Sequence, residues 1–459
     1  MARSGSTASI VSLGWPMFVG QLAVMANGII DNVMAGRLSA QDLAGVAIGS
    51  SIYFVVFVGL MGTLQAISPV AAQHYGAGRP DQVGETWRQG RWLALAMLVP
   101  GAIALAFPQP LLALANAEPA VTDMATDYLR MVALGLPAAL WFRAFTTFNT
   151  AVSRPRIVMA INLLGPVCKV PLNLLFMHGT DAVPALGLPA LPALGGAGCG
   201  LATAVVFWLS AAIGALMLRH DRFYLRFSMQ GLGRPRRAAI GELLRLGLPI
   251  GAHYLIDVTA FNFVTLLVAR LGTAVVGGHA IVANVAATAY MLPLALSGAA
   301  GVLAAQALGA GDPRGARRVA LRGVRLVFGL SLAVAALLWL LRGPLVAAYT
   351  VDPGVAQVAL SLLGLVALYH VVDAVQCGFA FALRAWKIAV APMAIFAFSL
   401  WGIGLGGGWW LGFGLEMGAR GFWIAAVVAL ACASAALAAL FFRATRAPAT
   451  AALRDPRTA

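Results

Sequence analysis

Val276–Ala305 reads VGGHAIVANVAATAYMLPLALSGAAGVLAA, thirty residues without an Asp, Glu, Lys or Arg. A helix on the surface of a soluble protein would keep a charged face, and this stretch has none. About 20 apolar residues suffice to cross the hydrocarbon core of a bilayer at ~1.5 Å per residue. The stretch therefore reads as a transmembrane helix long enough to tilt or protrude. Working outward, comparable stretches occupy 10–35, 44–72, 91–110, 122–150, 156–178 and 196–218, then 241–268, 276–305, 321–342, 354–383, 388–412 and 420–442. These are spans 1 to 12. Composition agrees: hydrophobic residues make up 61% of the 459 and charged residues 10%, against roughly 25% charged in soluble domains. The unbroken apolar runs also exclude a β-barrel, whose strands alternate.

The basic residues are distributed unevenly between the loops. Of 31 Lys and Arg, 24 fall on the side that also holds both termini: Arg3, Arg79, Arg88, Arg91, Arg154, Arg156, the seven arginines from Arg219 to Arg245, the five from Arg314 to Arg325, Arg384, Lys387, and Arg443, Arg446, Arg454 and Arg457. Four fall on the other side: Arg37, Arg270, Arg342 and Arg420. Arg130, Arg143 and Lys169 lie inside spans. Basic loops face the cytoplasm, so both termini are expected there, in a multi-pass bacterial inner-membrane protein. The net charge of +15 is then a topology signal and not a nucleic-acid footprint. Cys168, Cys199, Cys377 and Cys432 lie in apolar segments without C-x-x-C spacing, so they read as small apolar residues, with neither a structural metal nor a disulfide framework expected.

A shift of 233 residues superimposes the two halves of the sequence. Gly14 and Pro16 fall on Gly247 and Pro249, Arg37-Leu38 on Arg270-Leu271, Ala71-Ala72-Gln73 on Ala304-Ala305-Gln306, and Gly76-Ala77-Gly78 on Gly309-Ala310-Gly311. Alanine matches are cheap in such a chain, whereas matching Pro, Gln and Arg at one offset is not. Six spans per half is an even number, so both halves enter the membrane the same way. The fold expected is an all-α polytopic membrane protein of twelve transmembrane helices, in two parallel six-helix bundles related by a pseudo-two-fold along the membrane normal. The bundles are expected at 1–218 and 241–442, with a cytoplasmic linker at 219–240 and a cytoplasmic tail at 443–459.

Ionisable groups inside a span are costly and usually face a wet cavity or a partner. Three carboxylates lie in spans: Asp31 in span 1, Asp257 in span 7 and Asp373 in span 10. Helical spacing puts Tyr369, Gln376 and Cys377 on the face of Asp373, His253, Tyr254 and Phe261 on that of Asp257, and Asn27 on that of Asp31. Asp31 shares its half with Lys169 and Arg143, so it either binds a cation or pairs with one of them. The second half shows no mid-span cation, so Asp257 and Asp373 are expected to converge without a fixed counter-ion. Close together they would repel, and a proton or a sodium ion would relieve that. Tyr254, Phe261, Asn284, Tyr290, Tyr369 and Gln376 are the expected pocket lining, where an organic cation would meet ring faces beside carboxylates. Asp42, Asp81, Asp181 and Asp312 read as solvated loop residues, and Asp123 and Asp127 as the outer mouth of span 4.

Several pieces together resemble the multidrug and toxic compound extrusion family, MATE, and within it the NorM-like bacterial branch. They are Asp31-Asn32-Val33-Met34-Ala35-Gly36, Ala72-Gln73 with Gly76-Ala77-Gly78, Gly195-Gly196-Ala197-Gly198-Cys199-Gly200, Gly247-Leu248-Pro249, His279 with Asn284, and Asp373-Ala374-Val375-Gln376. The resemblance covers about residues 8–442. It implies an antiporter that exports cationic amphiphilic drugs or toxins while sodium ions or protons flow inward by alternating access. It also implies that Asp31, Asp257 and Asp373 hold the coupling cation or substrate, with sodium possible at Asp257 and Asp373. Two departures stand out: Asp257 replaces the Glu usual in span 7, and Lys169 stands where an Asn is expected.

Other classes fit less well. A flippase of lipid-linked oligosaccharide precursors, the main alternative, would want a cationic cavity for diphosphate. A major-facilitator-type carrier would show its G-x-x-x-D-[RK]-x-G-[RK]-[RK] loop between spans 2 and 3, which Gln73 to Arg91 lacks. No G-x-x-x-x-G-K-[ST] occurs for ATP-driven transport and no H-E-x-x-H for an intramembrane metalloprotease. A transporter and not an enzyme is expected, without a cofactor, functioning as a monomer in the lipid bilayer on organic cation substrates.

Overall fold

The computed structural model describes residues 5–113, 117–179 and 192–446, and helix is the only regular structure among them. Arg3, Asp181, Arg454, Arg457 and the tail from 447 to 459 lie outside the described residues. Eleven helices are long and apolar enough to cross a membrane, and a bent pair makes a twelfth. Spans 1 to 6 run Thr7–Leu38, Ala40–Gly76, Pro80–Ala106, the pair Pro119–Ala133 and Leu136–Ala151, Pro155–His178 and Ala197–His220. Spans 7 to 12 run Arg237–Ala269, Thr273–Gly309, Pro313–Leu340, Pro353–Ala385, Val390–Gly414 and Ala419–Arg446.

Several helices begin further out than hydropathy indicates. Span 3 starts at Pro80 and not near 91, and span 9 at Pro313 and not near 321. In both, proline supplies the preset first helical turn. Asp312, expected in a loop, caps span 9 by accepting from the Gly315 amide at 2.7 Å. Arg88, Arg91, Arg317, Arg318 and Arg322 therefore stand on helix and not in loops. Span 12 likewise continues to Arg446, into the stretch expected as tail. Asp42 is not a free loop residue either: it lies in the first turn of span 2 and accepts from Gly196 N at 2.7 Å and Ser39 Oγ at 2.6 Å.

Span 4 bends by 55° between its two helices. Gly135 and Pro137 sit at the break, and proline there has no amide to continue the ladder. Span 11 contains π-helical turns at Phe398–Gly406 and Trp410–Gly414. Its many glycines hold the tighter α-ladder weakly, and such turns concentrate at functional segments.

The chain packs as two compact units. One comprises Met1–Phe18, Ala72–Gly78 and Ala252–Ala459, and the other Val19–Ala71 and Arg79–Gly251. The chain changes unit after Phe18 and again after Gly251, positions separated by the repeat offset of 233 residues. Matching close approaches explain the exchange. In the first unit a Cβ on Gly14 would meet Leu296 Cδ2 at 2.7 Å, and in the second a Cβ on the equivalent Gly247 would overlap the Thr63 carbonyl. Within the first unit a Cβ on Gly76 would strike the Gln306 carbonyl, and one on Gly309 the Gln73 carbonyl. Only glycine permits these helices to touch backbone to backbone.

The stretch 219–240 lies inside the second unit. Tyr224 and Phe227 in it are 1% and 2% exposed. Gln89 binds it from both ends of its amide, donating to the Arg234 carbonyl at 3.0 Å and accepting from Arg236 N at 2.9 Å. Arg88 and Arg91 donate to the carbonyls of Ser228 and Gly231. The expected linker is thus held along the start of span 3 by buried polar contacts.

Candidate cation and substrate site

Span 7 supplies Tyr254, Asp257 and Phe261 from successive turns of one face, span 8 supplies Tyr290, and span 10 supplies Tyr369, Asp373, Gln376 and Cys377. All belong to the first unit. The carboxyl groups of Asp257 and Asp373 are close enough to sense each other's charge. Tyr290 and Tyr369 lie within reach of both. Each carboxylate is half-buried. Among the described residues, neither makes an ion pair or a side-chain hydrogen bond. In a low-dielectric interior, two such groups without a fixed counter-charge favour a proton or a small cation between them.

Aromatic rings surround this pair. Tyr369 meets Trp423 edge-on at 5.4 Å, Trp423 meets His279 at 5.7 Å, and His279 stacks on Phe261 at 5.7 Å. The Tyr290 hydroxyl contacts Cys377 Sγ at 3.4 Å. Gln376 is buried, with Nε2 unpartnered among the described residues. Phe261 stands at the exposed edge of the ring series. Asn284 lies apart from this set: it is exposed, and its Oδ1 accepts from the Tyr349 hydroxyl at 2.8 Å.

The second half does contain a buried cation, Arg384, which the sequence places at the end of span 10 among loop residues. It is 8% exposed. Its Nη1 donates to the Tyr254 hydroxyl at 3.2 Å and its guanidinium lies 4.5 Å from the centre of the Phe381 ring. It pairs with neither Asp257 nor Asp373. The signal that could have found it is the sequence after it: Ala385 and Trp386 keep the chain apolar past the charge.

Asp31, in the second unit, is in a different state. Lys169 Nζ is 2.9 Å from Oδ2, and Asn173 Nδ2 donates to Oδ1 at 2.9 Å. Of the two partners open to Asp31, the structure shows Lys169 in contact. The cysteines are all free, with Cys199 and Cys377 buried, Cys168 intermediate and Cys432 exposed, so Cys432 does not share the buried role expected of the set. No group of three or more metal-ligating side chains occurs among the described residues.

Twelve apolar spans in a two-fold repeat around intramembrane carboxylates define a membrane transporter. The MatE family model matches the chain twice, at residues 16–175 and 249–410, and the two matches begin 233 residues apart. A probable multidrug resistance protein NorM of Aromatoleum aromaticum is 43% identical over 426 residues, covering 92% of this chain and 90% of that one. The multidrug resistance protein PmpM of Pseudomonas aeruginosa is 35% identical over 95% of this chain and 91% of its own. The crystal structure of the eukaryotic MATE transporter AtDTX14 shares the fold, with a TM-score of 0.86 at 19% identity over 96% and 97% of the two chains. The chain belongs to the MatE family, as a NorM-like MATE transporter and not an enzyme.

Proposed function

We propose that this transporter exports cationic amphiphilic drugs or toxins across the bacterial inner membrane in exchange for inward sodium ions or protons, by alternating access. One observation carries the reading: Asp257 and Asp373 lie half-buried within range of each other's charge and without a protein counter-charge. An organic cation or the coupling ion satisfies that deficit, and both together would over-satisfy it. Competition then links the two fluxes, since a ligand shifts a conformational equilibrium only through its differential affinity for the two states. The names of the NorM and PmpM relatives support drugs as the substrate class. The asymmetry of the basic loops supports cytoplasmic termini. A monomer suffices, because each half of the repeat is supplied by the same chain.

The test is reconstitution into vesicles with a sodium or a proton gradient imposed separately, following loss of ethidium. Wild-type protein is expected to respond to one of the gradients. Asp373→Asn is expected to insert normally and lose the driven component. Driven efflux at the wild-type rate in that variant would overturn the assignment.

A further inference from the structure

Of the three intramembrane carboxylates, Asp31 alone has a complete protein shell. Asp31 and Lys169 are 5% and 1% exposed, and their ion pair measures 2.9 Å. Lys169 also hydrogen-bonds Thr203 Oγ1. Asp31 comes from span 1, Lys169 and Asn173 from consecutive turns of span 5, and Thr203 from span 6. Two amide oxygens are left over. Asn173 Oδ1 and Asn27 Oδ1, the latter one turn before Asp31, are buried without a hydrogen-bond partner among the described residues.

Apart from the ammonium, the surroundings are oxygen: a carboxylate, a hydroxyl and two spare amide carbonyls. That donor set suits a hard cation. A buried carboxylate must be paired or neutralised. Lysine satisfies it with a cation on a four-carbon stem, which cannot leave. We infer that Lys169 is a tethered cation filling a small-cation site formed by spans 1, 5 and 6. While it is seated there, the site is closed to sodium ions and protons, and efflux is coupled through Asp257 and Asp373 alone. Removing the ammonium opens the site.

The test compares purified full-length wild type, Lys169→Met and Asp31→Asn/Lys169→Met. One arm counts bound radioactive sodium at saturation. The other, in sodium-free buffer, records the infrared band of a protonated carboxylic acid. Lys169→Met is expected to gain one bound sodium per chain, or a carboxylic acid band that wild type lacks. The double variant is expected to lose the gain while folding normally, because it leaves no unpaired buried charge. A Lys169→Met protein unchanged from wild type in both arms would overturn the inference. Only the coupling statement rests on the efflux reading. For it, the double variant is expected to keep driven efflux within about two-fold of wild type, since exchanging a buried pair for apolar groups is often near neutral. Loss of driven efflux in the folded double variant would overturn that statement. Full efflux in Asp373→Asn would overturn the efflux reading and leave the cation count standing.

Discussion

Asp31 and Asp373 are both aspartates well inside apolar helices, yet their surroundings differ. Asp31 is enclosed by Lys169 and Asn173. Asp373 and its neighbour Asp257 have rings around them and no counter-charge. The contrast shows that an acid in a span is not in itself an ion site. What decides is whether the fold supplies the neutralising charge or leaves it to come from solution. Where the fold supplies it, the pair is structural. Where it does not, occupancy follows the ions and substrates outside.

Substitutions can break this contrast, and the largest effect is expected at the unpaired carboxylates. Asp257→Asn removes one of the two charges a mobile cation would balance, and driven ethidium efflux from vesicles is expected to fall by at least an order of magnitude, with ion-independent binding of the dye less affected. Next comes the paired carboxylate. Asp31→Asn strands the Lys169 ammonium in apolar surroundings, at a cost of about 3–5 kcal/mol, read as a lowered Tm in detergent. Asp31→Asn/Lys169→Met is expected to recover most of that loss. A single variant as stable as wild type would show that the pair contributes nothing to the fold.

A smaller effect is expected where the repeats touch. Gly76→Ala places a methyl against the Gln306 carbonyl, and Gly309→Ala does the same at Gln73. Overpacking of this kind costs roughly 1–3 kcal/mol, and the two variants are expected to lose similar stability in thermal melts. Unequal losses would show that the repeat symmetry is not shared by the two contacts.

The smallest effect belongs to Asp221, outside the spans. The Phe223 backbone amide and the Arg154 guanidinium hold its carboxyl below the usual aspartate range. A depressed folded value means stability present above the unfolded value near ~3.9 and lost as pH falls through the folded one. Both side chains are about one-third exposed, so the contribution is expected within about 1 kcal/mol. Asp221→Asn is expected to flatten the acid limb of a Tm-against-pH curve and leave neutral pH nearly unchanged. An acid limb identical to wild type would remove the pair from the account.

Much of this was legible in the sequence because burial in lipid demands long uninterrupted apolar helices. Residues 276–305 lie wholly within span 8, observed at Thr273–Gly309. Helix ends were less legible. Spans 3 and 9 begin in charged turns that hydropathy treats as loop, although proline and Asp312 mark the true starts. Tertiary pairings were the least legible. Helical spacing puts Lys169 and Asn173 on one face, but nothing local states that this face meets Asp31 on span 1. The same holds for Gln89 and the stretch 219–240: a buried amide bridging two backbone groups leaves no periodic trace.

The most direct test of a site whose charge is supplied from outside is competition. Ethidium binding to the purified transporter is measured as sodium or proton concentration rises. The apparent Kd is expected to rise with one of the two ions in wild type and in Asp31→Asn/Lys169→Met, and to become insensitive to that ion in Asp257→Asn and Asp373→Asn. Undiminished ion dependence in both span 7 and span 10 variants would contradict the account.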